Sequence, residues 1–206
     1  LNNFLHVRHQ LEQLPNSEAY IKRLNALIQR ESTDDPKLFG QSILRTEEAI
    51  LGDAEIQQRM QEASQQQRAL YQAELHPTLK LIQERFPTKQ KNHAEKIQQL
   101  YEQAFTLPNL FDRLAELRKI ETENAFKWDS VFAPVLKGLS KQAEKYKTQA
   151  PDETRGNFDA LQRDLEELQG KMRPSPDGSG EPWPLSMYTT KIVELSGILK
   201  QNMQYA

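Results

Sequence analysis

The fold is decided by residues 53–86, DAEIQQRMQEASQQQRALYQAELHPTLKLIQERF. Apolar side chains recur along one side of this stretch with a mean step of roughly 3.75 residues, closer to a straight α-helix than to the 3.5-residue period of a left-handed coiled coil. They are Ile56, Met60, Ala63, Tyr71, Leu75, Leu79, Ile82 and Phe86, and the polar Gln67 occupies the position of the stripe between Ala63 and Tyr71. At 1.5 Å per residue this helix is about 50 Å long, whereas a compact globule formed by the whole chain is about 43 Å across. The stretch therefore predicts an elongated molecule.

Two features interrupt this predicted helix. Glutamines at positions 65–67 break its apolar side. Pro77 removes one backbone donor and clashes with the carbonyl group four residues earlier. We therefore predict a bend near His76.

The helical periodicity continues on both sides, between breaks marked by proline, glycine or aspartate. The breaks are Pro15, Asp34-Asp35-Pro36, Gly52-Asp53, Phe86-Pro87 and Pro108. A run from Asn109 to Tyr146 follows, broken or kinked at Pro134, then a helix opened by Asp152 and a final amphipathic helix from Leu185. Only four valines occur in 206 residues, which argues against a large β-sheet. The sequence predicts an all-α, elongated antiparallel helical bundle with long, partly kinked helices.

One segment differs in composition from the rest of the chain. Residues 174–184, PSPDGSGEPWP, predict a loop rich in proline and glycine before the final helix. We interpret residues 1–206 as a single elongated helical module. Because the chain opens on Leu1, we also expect it to be a piece of a longer protein.

Charge and motif content argue against several classes of function. The 27 basic and 29 acidic side chains nearly cancel and are mixed along the chain, so no nucleic-acid partner is expected. The absence of cysteine removes thiolate and iron–sulfur chemistry. The motifs His-Glu-x-x-His, Gly-x-Gly-x-x-Gly and Gly-x-x-x-x-Gly-Lys-Ser/Thr do not occur. We expect no catalytic residues, no cofactor and no small-molecule substrate, and an enzyme assembled from dispersed Glu and His residues is the least favoured alternative.

Three potential metal ligands lie near the start of the chain. His6, His9 and Glu12 stand at three-residue intervals on a predicted helix, so neighbouring members of the set share a face. Three ligands on a single exposed turn leave the coordination shell incomplete. We interpret them as solvated residues and predict no metal site.

Lysines form the densest basic stripe of the sequence. Lys137, Lys141 and Lys145 repeat every four residues, and Lys147 extends the group. Such a stripe can contact an anionic membrane surface, where each lysine contributes about 1 kcal/mol. Solvated faces of long helices carry the same pattern, and Glu144 dilutes this one, so a solvated face is the favoured interpretation.

An aromatic side chain stands in the predicted loop. Trp183 lies between two prolines and close to Leu185. An aromatic residue on a proline-restrained segment is typical of an anchor that binds a partner. In the alternative, which we favour, Trp183 and Leu185 fold back and cover the end of the bundle.

Together these observations predict a non-catalytic protein–protein interaction or scaffold module built from long amphipathic helices. The candidate partner-binding residues are Trp183, Leu185, Lys137, Lys141 and Lys145. The alternative is a membrane-surface or membrane-trafficking module that contacts anionic lipid through the lysine stripe. No apolar run approaches the ~20 residues that span a bilayer, and no secretory signal is visible, so a cytoplasmic location is expected.

Overall fold

The computed structural model describes residues 2–172 and 185–205, with side chains except at positions 124–130 and 172. This part of the chain forms nine α-helices and no strand, which confirms the predicted all-α helical bundle. The helices are α1 Asn2–Glu12, α2 Glu18–Glu31, α3 Phe39–Gly52, α4 Ala54–Leu70, α5 His76–Arg85, α6 Thr88–Thr106, α7 Leu110–Gln149, α8 Asp152–Met172 and α9 Leu185–Met203. A short 3-10 helix, Pro36–Leu38, precedes α3.

The stretch predicted to be helical over residues 53–86 is helical from Ala54 to Arg85, but it is not α-helical throughout. A π-helix, Tyr71–Leu75, separates α4 from α5. Because Pro77 has no N–H, the carbonyl of Ala73 loses its α-helical donor, so an irregular turn before the proline is expected. The Thr78 hydroxyl donates to the Glu74 carbonyl at 2.8 Å beside this turn. The predicted bend near His76 stays a prediction.

Polar side chains cap the starts of α7 and α4. The Asn109 side chain accepts from the backbone N–H of Phe111 at 2.9 Å and opens α7. Asp53 does the same for α4, accepting from the N–H of Ile56 at 3.2 Å. Helix α7 then runs unbroken through Pro134, because a proline removes only one of the many hydrogen bonds of a 40-residue helix. The predicted break at Pro134 does not occur, and the predicted kink stays a prediction.

The chain divides into two compact units, each built from two separate segments. Unit 1 comprises Leu1–Ala73 and Ile97–Glu123, and unit 2 comprises Glu74–Lys96 and Asn124–Ala206. The chain therefore passes from one unit to the other three times. The single elongated module inferred from the sequence stays a prediction.

In unit 1, α1 to α4 pack against one another around an apolar core. Its largest buried side chains include Leu11, Leu24, Ile56 and Phe111. The Phe111 ring meets the Phe4 ring edge to face, with centroids 5.3 Å apart. This core uses the apolar stripe predicted for α4, whose Ile56, Met60 and Ala63 are all buried in it.

In unit 2, α9 packs against both α5 and α8. Leu79, Phe132, Phe158 and Leu195 are among its buried side chains. The amphipathic final helix therefore packs onto the other helices of this unit, as its pattern predicts.

Candidate functional site

Unit 2 carries a groove of about 670 Å³ between the C-terminal end of α5, the second half of α7 and α9. Most of its lining is apolar, from Phe86, Pro87, Pro134, Val135, Leu139, Ile192 and Val193. The remaining lining residues are small, neutral or basic: Gly138, Gln142, Ser196, Gly197, Arg85 and Lys200. No acidic side chain lines the groove in the described part of the chain.

We call the apolar part of this lining the base of the groove, and Phe86 supplies its aromatic ring. The Phe86 ring is buried, and its centroid lies 6.0 Å from that of Phe132. The Phe132 ring in turn lies 6.5 Å from the ring of Tyr188 on α9. The backbone N–H of Phe86 donates to the Ile82 carbonyl at 3.0 Å, which fixes the end of α5. Packing within unit 2 therefore sets the shape of this base.

Glycines leave the helix walls of the groove open. A Cβ atom at Gly138 of α7 or Gly197 of α9 would meet no atom within 4 Å. Glycine inside a helix destabilises it by about 0.5–1 kcal/mol relative to alanine. Packing in the described structure does not require glycine at these two positions. Because glycine has no side chain, another group can come close to the backbone of each wall helix there. Gly156 and Gly170 of α8 are equally unobstructed but lie outside the groove.

The predicted lysine stripe runs beside this groove. Lys137, Lys141 and Lys145 are all exposed. Each follows by three positions a groove-lining residue of α7, and residues three apart are neighbours on a helix surface. Those lining residues are, in order, Pro134, Gly138 and Gln142. The three lysines thus form a basic border along the α7 wall.

The charges of the basic border are not neutralised by described acids. Lys137, Lys141 and Lys145 form no ion pair with any described residue, and neither do Arg85 and Lys200 in the groove lining. The Lys145 ammonium lies 5.7 Å from the centre of the Tyr146 ring. This side of unit 2 therefore presents positive charge beside apolar surface.

Lys147 and the neighbouring Glu144 interact with α8. Lys147 pairs with Asp159 of α8 at 2.6 Å, and this hydrogen bond raises the pKa of the lysine. Glu144 accepts a hydrogen bond from Gln162 of α8 at 2.6 Å. The acid that dilutes the stripe in the sequence is thus hydrogen-bonded to α8.

The predicted loop site is only partly within the described structure. Leu185 is the first residue of α9 and is partly buried, and its carbonyl accepts from the Thr189 hydroxyl at 2.9 Å. Trp183 and the predicted loop over residues 174–184 lie outside the described residues. Leu185 does not line the groove, so the structure does not bring it together with the lysines at that site.

A second set of side chains, with shifted pKa values, lies in unit 1, and no sequence pattern indicated it. Burial raises the pKa of Tyr101 far above its usual range, with Glu121 adding to the effect. Burial also raises the pKa of Tyr71, to about 12, and the two tyrosine rings stack at 5.1 Å. Burial raises the pKa of Glu121 although Arg118 donates to it at 3.3 Å. We interpret these groups as polar side chains in a helical core, because none of them lines the groove.

The three candidate metal ligands near the chain start have other neighbours. Arg8 donates to Glu12 at 2.9 Å. Burial and the nearby Arg118 cation lower the pKa of His9. Among the described residues, no group of three or more His, Asp or Glu is placed to hold a metal ion.

Within the described ranges, no helix combines the length and the apolar character needed to cross a membrane. Comparison of the chain with family models, with curated proteins and with solved structures found no match. Its functional assignment therefore rests on its own residues.

Proposed function

We propose that this chain is a non-catalytic protein–protein interaction or scaffold module, and that the groove of unit 2 is its binding surface. The observation that carries the proposal is an apolar base, glycine-lined walls and a basic border on one surface. Contiguous apolar surface rimmed by polar residues is typical of sites that bind a partner. A cytoplasmic location is part of the same proposal.

The energetics of the groove favour a partner that inserts several side chains. Val135, Leu139 and Val193 are already partly buried, so covering the remainder contributes roughly 0.5–1 kcal/mol for each. A fully buried leucine or phenylalanine of the partner contributes about 1.5–3 kcal/mol. A micromolar complex requires about 8 kcal/mol after the cost of association is met. We therefore expect a macromolecular partner with several apolar side chains.

The test is a capture experiment that compares three forms of the chain. The first is unmodified, the second carries Gly138→Leu and Gly197→Leu to fill the groove, and the third carries Gly156→Leu and Gly170→Leu as a matched control. All four positions are exposed helical glycines with no atom in the way of a Cβ. Proteins retained by the unmodified and control chains but lost by the groove-filled chain support the proposal. Identical retained sets for all three forms would refute it.

The exposed lysines support one alternative, contact with anionic lipid. Vesicles of phosphatidylcholine with phosphatidylserine test it at low salt. Binding that is lost on charge reversal at Lys137, Lys141 and Lys145, and unchanged when the groove is filled, would favour the membrane module over the proposed one.

A further inference from the structure

We infer that the groove takes an amphipathic helix of a partner protein with acidic side chains along one edge. This inference rests on the proposed function and specifies the partner of the same surface.

The secondary structure of the partner follows from the walls of the groove. Addition of a strand needs an exposed sheet edge, and the described residues contain no strand. Polyproline segments dock in grooves lined by aromatic residues, whereas Phe86 is the sole aromatic side chain among the described lining residues. A helix laid against α7 and α9 meets Gly138 and Gly197, which permit close approach of backbones. An α-helix therefore fits this surface best.

The length of the walls sets the spacing of the partner's anchors. Lining residues occupy positions 134–142 of α7 and 192–200 of α9. Each wall is therefore about 12 Å long, or slightly more than two helical turns. A partner helix covers this length with apolar side chains at positions i, i+3 or i+4, and i+7.

The positive charges around the groove favour a partner with negative charge. The lysines of the basic border repeat every four residues, which is about 6 Å along α7. Glutamates or aspartates spaced four apart on the partner helix repeat at the same distance. Arg85 and Lys200 add positive charge in the lining, and no described lining residue opposes it. A nucleic-acid strand also carries negative charge, but such interfaces are polar and would leave the apolar base of this groove uncovered.

The probe is a display library of helix-forming peptides about 18 residues long, which is enough for a marginally stable helix. The library is selected in parallel on the unmodified chain, on Gly138→Leu/Gly197→Leu and on Gly156→Leu/Gly170→Leu. Groove-dependent peptides are those enriched on the first and third forms alone. We expect them to carry apolar residues at i, i+3 or i+4 and i+7 and a net negative charge.

An enriched acidic peptide is then measured against two single charge reversals. Lys141→Glu changes the basic border, while Arg163→Glu makes the same change at an exposed site of α8 outside the groove lining. We expect Lys141→Glu to weaken binding about two- to tenfold and Arg163→Glu to leave it nearly unchanged. Added salt should reduce the difference between the two variants.

The outcomes separate this inference from the proposed function. Groove-dependent peptides that are basic, neutral or not helical would overturn the inference and leave the groove as a binding surface. Equal effects of Lys141→Glu and Arg163→Glu would also overturn it. A selection that yields no groove-dependent peptides would also overturn the inference. The proposed function fails as well if the set of captured proteins does not change when the groove is filled.

Discussion

Replacement of Phe111 by alanine tests the packing that defines unit 1. The Phe111 side chain is fully buried, and the Phe4 ring meets it at 5.3 Å. Truncating a buried phenylalanine costs about 3–5 kcal/mol, through lost contacts and the remaining cavity. For a chain of this length, 1 kcal/mol corresponds to about 2–4 °C, so the melting temperature should fall by roughly 6–20 °C. Urea unfolding followed by circular dichroism measures the cost.

The contribution of the ring pair can be isolated by a double-mutant cycle. Phe4→Ala, Phe111→Ala and the double variant should show a coupling of about 0.5–1.5 kcal/mol, the usual value for an edge-to-face pair. Leu44→Ala is the control in α3, because its side chain is 61% exposed and should change stability by no more than about 0.5 kcal/mol. This account of the core would be refuted if Phe111→Ala lowered the free energy of unfolding no more than the control does. It would also be refuted if the effects of the two phenylalanine substitutions were additive.

Three further predictions concern single side chains. Because burial raises the pKa of Glu121, its protonated form stabilises the fold at low pH, and this contribution is lost as the pH rises through the folded pKa. Glu121→Gln should therefore flatten the pH dependence of the free energy of unfolding measured in urea. An unchanged slope would contradict this prediction. Asp53→Ala removes the cap of α4 and the 2.6 Å contact with Arg23, so it should cost about 0.5–2 kcal/mol, whereas Asp53→Asn should retain most of the capping effect. Tyr188→Phe deletes the hydroxyl that donates to the Lys171 carbonyl at 2.8 Å and should cost about 0.5–1.5 kcal/mol in thermal or urea unfolding, while no change would mean that the bond contributes nothing in solution.

The features of the fold that could be predicted are those governed by local chemistry. The helical period places Ile56, Met60 and Ala63 on one buried face, and all three are buried. Asn109 and Asp53 cap the helices that they precede, since the hydrogen bond involved spans only two or three residues. The π-helix was not predictable in this way, because Pro77 makes an interruption expected without determining the form of the turn before it.

The candidate site could be predicted only in part. The exposure of Lys137, Lys141 and Lys145 follows from their spacing on an amphipathic helix. The groove beside them is formed by α5, α7 and α9, which are far apart in sequence, so no local pattern indicates it. Val135 and Leu139 also carry the same apolar signal whether they lie in a core or at the edge of an opening.

The threading of the chain through both units has a consequence for how the protein is made. Residues 74–96 leave the ribosome before any of the segment Asn124–Ala206 with which they share a unit. At a synthesis rate of about 5–20 residues per second, residues 74–96 are complete roughly 5–20 s before the last residues of the segment Asn124–Ala206. Unit 1 is also incomplete until Ile97–Glu123 has emerged, so a fragment ending at Ala73 lacks Phe111 and Leu114 of its core. Neither unit can be produced as one uninterrupted fragment, and nascent chains expose apolar helix faces such as that of α5 during the interval.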